Sequence, residues 1–224
     1  MALSDKRIIE KMQEGNIVIT PFDERNLSTS SYDVTLGGSY YRPNQGEFQQ
    51  RIYNIYDKKQ MERIWGRPQE ADLASDMLSI PEMGDAVIPG INPRDKIIII
   101  YPGETILAHT NEFIGGRNHI TTMMKARSSM GRSFLGVCKC AGWGDVGYIN
   151  RWTMEITNYS KTYTIPLVVG RRIAQIVFFE TGPILGRDYA SAGKYQAYDS
   201  VEELKKNWKP ESMLPQLYRD RDIV

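Results

Sequence analysis

The chain has 224 residues, which suits one domain that buries a hydrophobic core without disulfides or a structural metal. Its 28 lysines and arginines nearly balance its 27 aspartates and glutamates, and a net charge of +1 argues against a nucleic-acid polymer as partner. The longest apolar run, at 96–101, is far shorter than a membrane span, and the N-terminus has no apolar signal core, so we expect no membrane association.

The two cysteines, Cys138 and Cys140, are separated by a single residue. A disulfide between them would be badly strained, so we expect both thiols to be reduced. Reduced cysteines fit a reducing compartment, and the sequence therefore predicts a cytoplasmic protein.

The chain opens with a helix signal at 4–15. Ser4 is a favourable N-cap residue, apolar residues recur behind it at helical spacing, and Gly15 is a typical residue after a helix end. We therefore expect a short N-terminal helix.

Strand signals dominate the rest of the chain. Short segments rich in β-branched and aromatic residues are separated by Gly, Pro, Asn or Asp, which predicts strands at 16–20, 31–36, 95–101, 105–110, 151–158, 163–169 and 173–179. Many short strands with turns between them are typical of a barrel or sandwich. We expect one mainly β domain over residues 1–224, with a charged, partly helical excursion at about 54–75 and a short helix at 200–208.

The sequence lacks the ligands of a zinc-dependent deaminase. That chemistry needs H-x-E and a later P-C-x-x-C, whereas neither His109 nor His119 begins such a motif. A P-loop, a dinucleotide-binding glycine motif and a G-x-S-x-G elbow are also missing from the sequence. We therefore expect no metal held by protein side chains.

The segment ARSSMGR at 126–132 places two arginines and two serines around one glycine. Guanidinium groups and hydroxyls bind phosphate oxygens well, so a site for a phosphorylated ligand is one interpretation. A solvated surface loop is the other.

The segment RWTMEITN at 151–158 alternates. Trp152, Met154 and Ile156 fall on one face, which we predict to be core, and Glu155 falls on the opposite face. Glu155 is either a solvated edge carboxylate or a general base that a strand holds beside a ligand.

Two further segments carry polar groups between apolar runs. AGWGDVGY at 141–148 combines three glycines with Asp145 and Tyr148, either as an ordinary hairpin turn or as backbone that approaches a flat ligand closely. GRRIAQIVFFE at 170–180 carries Gln175, which is either a surface residue or a positioned amide.

Together these segments resemble the dCTP deaminase family of the dUTPase-like superfamily. The resemblance rests on ARSSMGR, AGWGDVGY, TMEI and GRRIAQIVF in this order, with Arg127 and Glu155 separated by 28 positions (155 minus 127), and on SYDVTLG at 31–37 and GKYQ at 193–196. It covers most of the chain. The excursion at 54–75 and the last twenty or so residues are not clearly covered.

The resemblance implies a homotrimer of distorted, jelly-roll-type β-barrels with active sites between subunits. It also implies a deoxynucleoside triphosphate as substrate, with Mg²⁺ bound through the triphosphate, and a C-terminal closing segment at about 187–224. The nucleotides implied are dCTP and dUTP, with dTTP as a candidate inhibitor.

The resemblance assigns four catalytic residues. Glu155 matches the glutamate that takes a proton from the water attacking C4 of cytosine. Ser128 matches the hydroxyl that orients this water or the amino group, and Arg132 matches the arginine that holds the glutamate. Asp145 matches an aspartate that helps water attack the α-phosphorus in the two-step members.

The remaining matches are to substrate-binding residues. The backbone from Cys138 to Ala141 is implied to read the pyrimidine edge, and Tyr148 to stack on the deoxyribose. The full implied set is Arg127, Ser129, Cys140, Ala141, Gly142, Tyr148, Gln175, Tyr189, Lys194, Tyr195 and Gln196.

Several positions depart from the family pattern, and they keep alternatives open. Cys138 stands where a family histidine falls, Asn150 replaces a glycine, and the family's late glutamine would fall at Tyr198 instead of Gln196. We expect dCTP deamination to dUTP, continuing to dUMP and diphosphate. The alternatives are a dUTP diphosphatase without deamination and a catalytically inactive nucleotide-binding trimer.

Overall fold

The computed structural model describes residues 1–44, 52–77, 88–196, 198, 200–220 and 222. The helices are α1 Asp5–Gln13, α2 Lys58–Trp65, α3 Ala74–Met77, α4 Ser128–Arg132, α5 Tyr189–Ala192 and α6 Val201–Asn207. Short 3₁₀ helices are Glu24–Asn26, Pro210–Met213 and Leu217–Arg219. The strands are β1 Ile17–Thr20, β2 Leu27–Ser28, β3 Ser31–Tyr41, β4 Gln69–Glu70, β5 Asp72–Leu73, β6 Lys96–Ile100, β7 Thr105–Gly116, β8 Ile120–Ala126, β9 Leu135–Gly136, β10 Trp143–Gly144, β11 Ile149–Asn158, β12 Ile165–Val168 and β13 Arg172–Glu180.

Two antiparallel sheets organise these strands. Within the described ranges, the larger sheet has ten strands in the order β10-β8-β13-β3-β7-β11-β9, with β1 paired to β7 and with β2 and β4 paired to β3. The smaller sheet has the order β12-β6-β5. The large sheet curls into a half-barrel, which confirms the predicted mainly β barrel with a short N-terminal helix and a few peripheral helices.

The inner face of the curled sheet holds the main hydrophobic core. Side chains such as Tyr32, Ile106, Met154, Ile176 and Phe178 are completely buried there. Their strands supply alternating inward positions, so the core follows directly from the two-residue period of each strand.

The predicted N-terminal helix is confirmed as α1. The Ser4 side chain accepts a hydrogen bond from the backbone N–H of Arg7, and Gly15 follows the helix in the left-handed region with φ 76°. Both features agree with the cap and stop signals in the sequence. The seven predicted strands also form, although several are longer than the sequence pattern indicates.

Strand β8 is absent from the sequence-based prediction. Its sequence, ITTMMKA, ends in residues with weak strand preference, so propensity alone does not identify it. The pairing with β13, in register from Ala174 opposite Ala126 to Glu180 opposite Ile120, establishes the strand. A tertiary partner here outweighs local preference.

The excursion at 54–75 contains α2, β4, β5 and the first residues of α3. Asp57 caps α2, because its carboxylate accepts hydrogen bonds from the backbone N–H groups of Lys59 and Gln60. The predicted C-terminal helix at 200–208 is confirmed as α6, with Ser200 as its cap. Among the described helices, none combines the length and apolar character needed to cross a lipid bilayer.

Candidate active site

The alternation of β11 positions Glu155. Trp152, Met154 and Ile156 are 4%, 0% and 0% exposed and belong to the main core, as the sequence predicts. Glu155 lies on the other face of the strand, where it is half-buried and pairs across the sheet with Leu107 of β7. The side chain is therefore held by a strand rather than by a loop.

Glu155 borders a cavity of about 490 Å³ on this outer face. Strands β7 and β11, the 139–148 loop, the end of α2 and the C-terminal residues all contribute to the cavity. Its lining residues are Trp65, Thr105, Leu107, Lys139, Ala141, Trp143, Asp145, Tyr148, Trp152, Thr153, Glu155, Tyr189, Tyr195, Met213 and Pro215. The cavity is thus mostly apolar and aromatic, with a few polar groups, as is typical of small-molecule sites.

The Glu155 carboxylate is in an unusual electrostatic state. Its Oε2 atom is buried and has no hydrogen-bond partner in the described parts of the chain. Burial raises the pKa of this carboxyl above the ordinary glutamate value, and the positive charge of Lys139 opposes the rise only in part. A carboxylate of this kind is prepared to accept a proton from a molecule that enters the cavity.

The turn before β11 places Asp145 and Tyr148 on the cavity. Tyr148 donates a backbone hydrogen bond of 3.0 Å to the carbonyl of Asp145, and Gly147 between them adopts φ 93°, which glycine alone tolerates easily. The Trp143 indole Nε1 donates to Asp145 Oδ1 at 3.2 Å. Asp145 is exposed at the cavity rim, so its carboxylate is accessible to a ligand.

An aromatic cluster fixes the Tyr148 ring. The ring packs edge-on against Trp152 at a centroid distance of 5.1 Å and against Tyr189 at 5.0 Å. Burial raises the pKa of the Tyr148 hydroxyl above its ordinary value, so the residue stays neutral. Tyr148 therefore offers the cavity a rigid aromatic surface.

The closing segment is bound to the turn by one backbone hydrogen bond and by the Gln196 side chain. Tyr189 donates its backbone N–H to the carbonyl of Val146 at 2.8 Å, and the Gln196 side chain accepts from Ile149 at 2.7 Å. The Gln196 amide also donates to the carbonyls of Gly147 and Tyr198 at 3.1 and 3.2 Å, so both of its N–H groups are occupied within the chain. This amide holds the segment against the turn.

A second cavity of about 370 Å³ adjoins the first. Asp145 and Tyr189 border both cavities, and the second also has Arg187 and Lys194 on its wall. Lys194 forms an ion pair with Asp220, and the Tyr195 hydroxyl accepts from the backbone N–H of Gln216 at 3.1 Å. The basic side chains of Arg187 and Lys194 thus line the second cavity, which Asp145 also borders.

The arginine and serine segment lies elsewhere in the chain. Ser128, Ser129 and Arg132 are exposed on α4, and none of them lines the Glu155 cavity. Arg127 forms an ion pair with Asp33 at 3.2 Å, and Arg172 pairs with the same carboxylate oxygen at 3.1 Å.

Arg127 and both arginines of the GRR turn line a separate cavity of about 710 Å³. Gln175 is half-buried and pairs with Asp33 of β3 and Lys125 of β8. It therefore lies on the same face of the sheet as Asp33, the ion-pair partner of Arg127. The predicted site residues form two groups within one chain, one around Glu155 and one around Arg127.

The loop at 138–142 has a distinctive backbone. Lys139 and Cys140 adopt φ 38° and 68°, and Ala141 donates its N–H to the carbonyl of Cys138 at 2.6 Å. Lys139 and Ala141 line the cavity, whereas Cys140 is exposed and Gly142 bonds through its carbonyl to Met124. This loop could present backbone groups to a ligand next to Glu155.

Each of the two histidines contacts a neighbouring residue of the fold. His109 is buried, its Nδ1 donates to the carbonyl of Thr110 at 2.8 Å, and burial lowers its pKa to about 4. His119 lies 3.4 Å from Glu180 at the surface. Within the part of the chain that the structure describes, no group of three or more His, Cys, Asp or Glu side chains could hold a metal ion.

Comparison with known proteins decides the family. A family model described as dCTP deaminase-like matches residues 2–181. The chain belongs to the dCTP deaminase-like family. The match covers the sheet, the turn and Glu155, and it ends before the closing segment of this deaminase-like protein.

Curated relatives of this deaminase-like protein carry one name, "dCTP deaminase, dUMP-forming". The protein of Hydrogenobaculum sp. is 33% identical over 178 residues, which cover 80% of this chain and 81% of the relative. The protein of Nanoarchaeum equitans is 30% identical over 201 residues, which cover 87% and 92%.

A solved structure supports the fold. The 2'-deoxycytidine 5'-triphosphate deaminase from Agrobacterium tumefaciens is similar with a TM-score of 0.52 at 16% identity, over 79% of this chain and 47% of that one. At this identity the similarity shows the shared fold.

Sequence reasoning missed several residues on the cavities of this deaminase-like protein. Trp65 and Met213 come from segments that the resemblance does not clearly cover, and no local pattern connects them. The sequence predicts Leu107 only as part of a strand, because its pairing with Glu155 is visible only in the structure. Arg187 lies within the predicted closing segment. A second basic residue close to Lys194 in sequence could have indicated its place on this cavity.

Proposed function

We propose that the protein hydrolyses dCTP to dUTP and then hydrolyses dUTP to dUMP and diphosphate. The observation that carries the proposal is the Glu155 carboxylate, which has a buried, unpaired oxygen and a raised pKa on the wall of a cavity suited to a small molecule. The names of the curated relatives support the same substrate and product.

In the first step, cytosine enters the cavity with C4 next to Glu155. Ionised Glu155 accepts a proton from water while the water oxygen bonds to C4, and it delivers this proton to N3. It then moves the hydroxyl proton to the amino group, the C4–N bond breaks, and ammonia leaves. Water is consumed, ammonia is released and Glu155 returns to its starting charge.

In the second step, Asp145 directs water at the α-phosphorus of dUTP. Its position on the border between the two cavities supports this role, because a nucleotide whose base lies at Glu155 would extend its phosphates past Asp145 toward Arg187 and Lys194. The water oxygen bonds to the α-phosphorus while its proton passes to Asp145 and from there to solvent, the bond between the α-phosphorus and the oxygen bridging to the β-phosphorus breaks, and diphosphate leaves. Lysine and arginine are suited to the phosphate charges.

We propose that Mg²⁺ arrives on the triphosphate. The described residues offer no cage of three or more acidic, histidine or cysteine side chains, whereas a triphosphate supplies several oxygen ligands itself. Asp145, whose side chain is exposed, borders both cavities. When bound, Mg²⁺ would neutralise phosphate charge, and the residues of this chain would position the nucleotide around it.

We propose that the complete site forms between subunits of a homotrimer. Ser128 and Arg132 are exposed on α4 and are not on the Glu155 cavity of their own chain. In a ring of identical subunits, α4 of one protomer would supply these groups to Glu155 of its neighbour. Ser128 would orient the water, Arg132 would hold Glu155, and Arg127 and Ser129 would bind phosphate oxygens.

A product assay tests the proposal. The protein is incubated with Mg²⁺ and either dCTP or dUTP, and the nucleotides are separated by ion exchange. We expect dUMP from both substrates. If dUTP accumulates from dCTP and is itself untouched, the second step is wrong, and if only supplied dUTP is consumed, the deamination is wrong. If neither nucleotide reacts, the proposed function fails and the inactive nucleotide-binding trimer is favoured.

A further inference from the structure

A cavity of about 420 Å³ is lined by Asn150 together with residues from 194–198 and 204–219. We call it the C-terminal cavity. Apart from Asn150, all of its lining residues follow residue 181, where the family match ends. The proposed chemistry at Glu155 and Asp145 gives this cavity no role.

Two positions at which this chain departs from the family pattern build the C-terminal cavity. Asn150, which replaces a glycine, is 4% exposed, and its Nδ2 donates to the carbonyl of Tyr195 at 2.9 Å. Gln196, whose family position falls at Tyr198, is 6% exposed and accepts from the backbone N–H of Ile149 at 2.7 Å. Both side chains line the cavity and fix the closing segment beside it. The cavity therefore depends on residues at which this chain differs from the family pattern.

The charged side chains on the C-terminal cavity are basic. Lys194, Lys209 and Arg219 line it, and none of its described lining residues is acidic. The Lys209 side chain is exposed and unpaired within the described parts of the chain, and Arg219 donates to the neutral Gln216 side chain at 2.6 Å. Lys194 forms its ion pair with Asp220, which does not line the cavity. Two cations are thus available to an anion that enters.

Two residues belong both to the C-terminal cavity and to the proposed substrate site. Tyr195 also lines the Glu155 cavity, and Lys194 also lines the second cavity beside Arg187. An anion in the C-terminal cavity and a triphosphate in the second cavity would therefore share the charge of Lys194. Because two anions compete for one cation and repel each other, binding of either one should weaken binding of the other.

We propose that the C-terminal cavity is a regulatory site for a small phosphate-bearing anion, which Lys209 and Arg219 bind together with Lys194. Occupation of this site lowers the affinity of the chain for its nucleotide. A guanidinium fork and ammonium groups suit phosphate oxygens, and the cavity has the size of a small-molecule site. Anion binding needs only the charges and shape of the cavity, whereas the effect on the nucleotide rests on the proposed function.

Calorimetry with inorganic diphosphate as the probe, without Mg²⁺ or nucleotide, tests the site. The test variant is Lys209→Gln/Arg219→Gln, because these two residues line neither of the proposed substrate cavities. We expect wild-type protein to have a class of diphosphate sites that the variant binds about 10-fold or more weakly, since hydrogen bonds to charged groups are among the strong ones.

Lys205→Gln/Lys206→Gln is the matched control. It removes the same two positive charges from exposed positions on α6 that do not line the C-terminal cavity. We expect its diphosphate affinity to equal that of wild-type protein, because charges exposed to solvent are screened by salt. Thermal melts confirm that each variant is folded, and Lys209→Gln alone replaces the double variant if that protein does not fold.

Kinetics of dCTP deamination with and without diphosphate, at fixed free Mg²⁺, test the regulation. We expect diphosphate to raise KM for dCTP by about 5-fold or more in wild-type protein and in the control. The rise should be clearly smaller in Lys209→Gln/Arg219→Gln, since only direct competition in the second cavity remains. Without diphosphate, all three proteins should have the same KM.

The outcomes separate the two proposals. Equal diphosphate affinity of wild-type protein and Lys209→Gln/Arg219→Gln overturns the site, and so does an equal loss in the control, which would mean that net charge alone attracts the anion. An equal rise in KM in all three proteins overturns the regulation. If wild-type protein does not deaminate dCTP, the proposed function fails, while the calorimetric comparison still decides the site.

Discussion

Glu155 combines two properties that reduce stability. It removes a carboxylate from water, and it leaves one carboxylate oxygen without a hydrogen bond in the described parts of the chain. Buried polar groups without partners cost free energy, and proteins retain them mainly where function needs them. Strand β11 could carry a neutral residue here without losing its core face.

Replacing Glu155 with glutamine tests this interpretation directly. The amide has nearly the same shape but cannot accept and return protons, so we expect dCTP deamination to fall by at least about 100-fold. Nucleotide affinity should stay within a few-fold, and the melting temperature should stay equal or rise. Ammonia release, calorimetric binding and thermal melts measure the three quantities. Loss of binding together with activity would assign Glu155 a structural role.

The raised pKa of Glu155 predicts a pH dependence. The base must be ionised, so kcat/KM should decline on the acid side at a pH above 4.5, the ordinary glutamate value. The folded protein holds this proton more tightly than the unfolded chain does. The free energy of unfolding attributable to Glu155 should therefore fall as the pH rises from 4.5 toward the raised pKa.

Rate profiles from pH 4 to 8 check the acid limb of kcat/KM, and denaturant titrations over the same range check the fall in unfolding free energy. This range includes ordinary and raised carboxyl pKa values. The Glu155→Gln protein is the control for stability, because it lacks the titrating group and should not show this fall. An acid limb at or below the ordinary glutamate pKa would contradict the role of burial.

Asp145 is expected to act in the second step only. Asparagine retains the Oδ1 acceptor for the Trp143 indole but removes the charge, so the turn should keep its shape. We expect dUMP formation from dUTP to fall by about 100-fold or more, while dCTP deamination changes only a few-fold. The variant should therefore accumulate dUTP from dCTP. Equal loss of both steps would refute the division of labour between Asp145 and Glu155.

At the scale of elements, the closing segment depends on one close contact. Gly193 lies against the Tyr189 ring, and a Cβ atom there would stand 2.1 Å from Tyr189 Cε1. Since Tyr189 lines the cavity and packs edge-on against Tyr148, Gly193→Ala should displace both rings. We expect KM for dCTP to rise by about 10–100-fold, more than kcat falls.

Gly182→Ala is a matched control for this change. Gly182 lies between β13 and α5, and a Cβ there would have no atom within 4 Å. Steady-state kinetics of the two variants should therefore differ sharply. Similar kinetics in both would mean that Tyr189 does not contact the substrate.

Strands β11 and β8 show which elements the sequence can predict and which it cannot. Strand periodicity identified the core face of β11, because Trp152, Met154 and Ile156 alternate regularly. It could not identify β8, whose Met and Lys residues are weak strand formers and whose pairing partner is distant. The sequence could not predict that Trp65 and Met213 line the Glu155 cavity together, since they meet only after the sheet has folded.

At the scale of the whole molecule, the proposed trimer accounts for the two separate groups of site residues. Glu155 and Asp145 lie on one cavity, whereas Ser128 and Arg132 are exposed on α4. A heterologous interface can bring such groups together and closes into a ring when its rotation permits. We predict that light scattering gives the mass of a trimer in solution, and that each site uses two chains.

Subunit mixing tests this arrangement. Glu155→Gln and Ser128→Ala should each be nearly inactive alone. After co-refolding or co-expression, a site that takes Glu155 from the Ser128→Ala chain and Ser128 from the Glu155→Gln chain is intact. With random assembly of equal amounts, roughly one quarter of the sites should be intact, so deamination should recover to about that share of wild-type activity.

The control mixes Ser128→Ala with Arg132→Ala. Both changes are on α4, so a site between two chains always receives one defective helix, and no mixture of these subunits should regain activity. Recovery in the first mixture and none in the second is the signature of a shared site. If the first mixture stays inactive while its mass is that of a trimer, Ser128 and Glu155 act within one chain, and α4 must then move toward its own cavity.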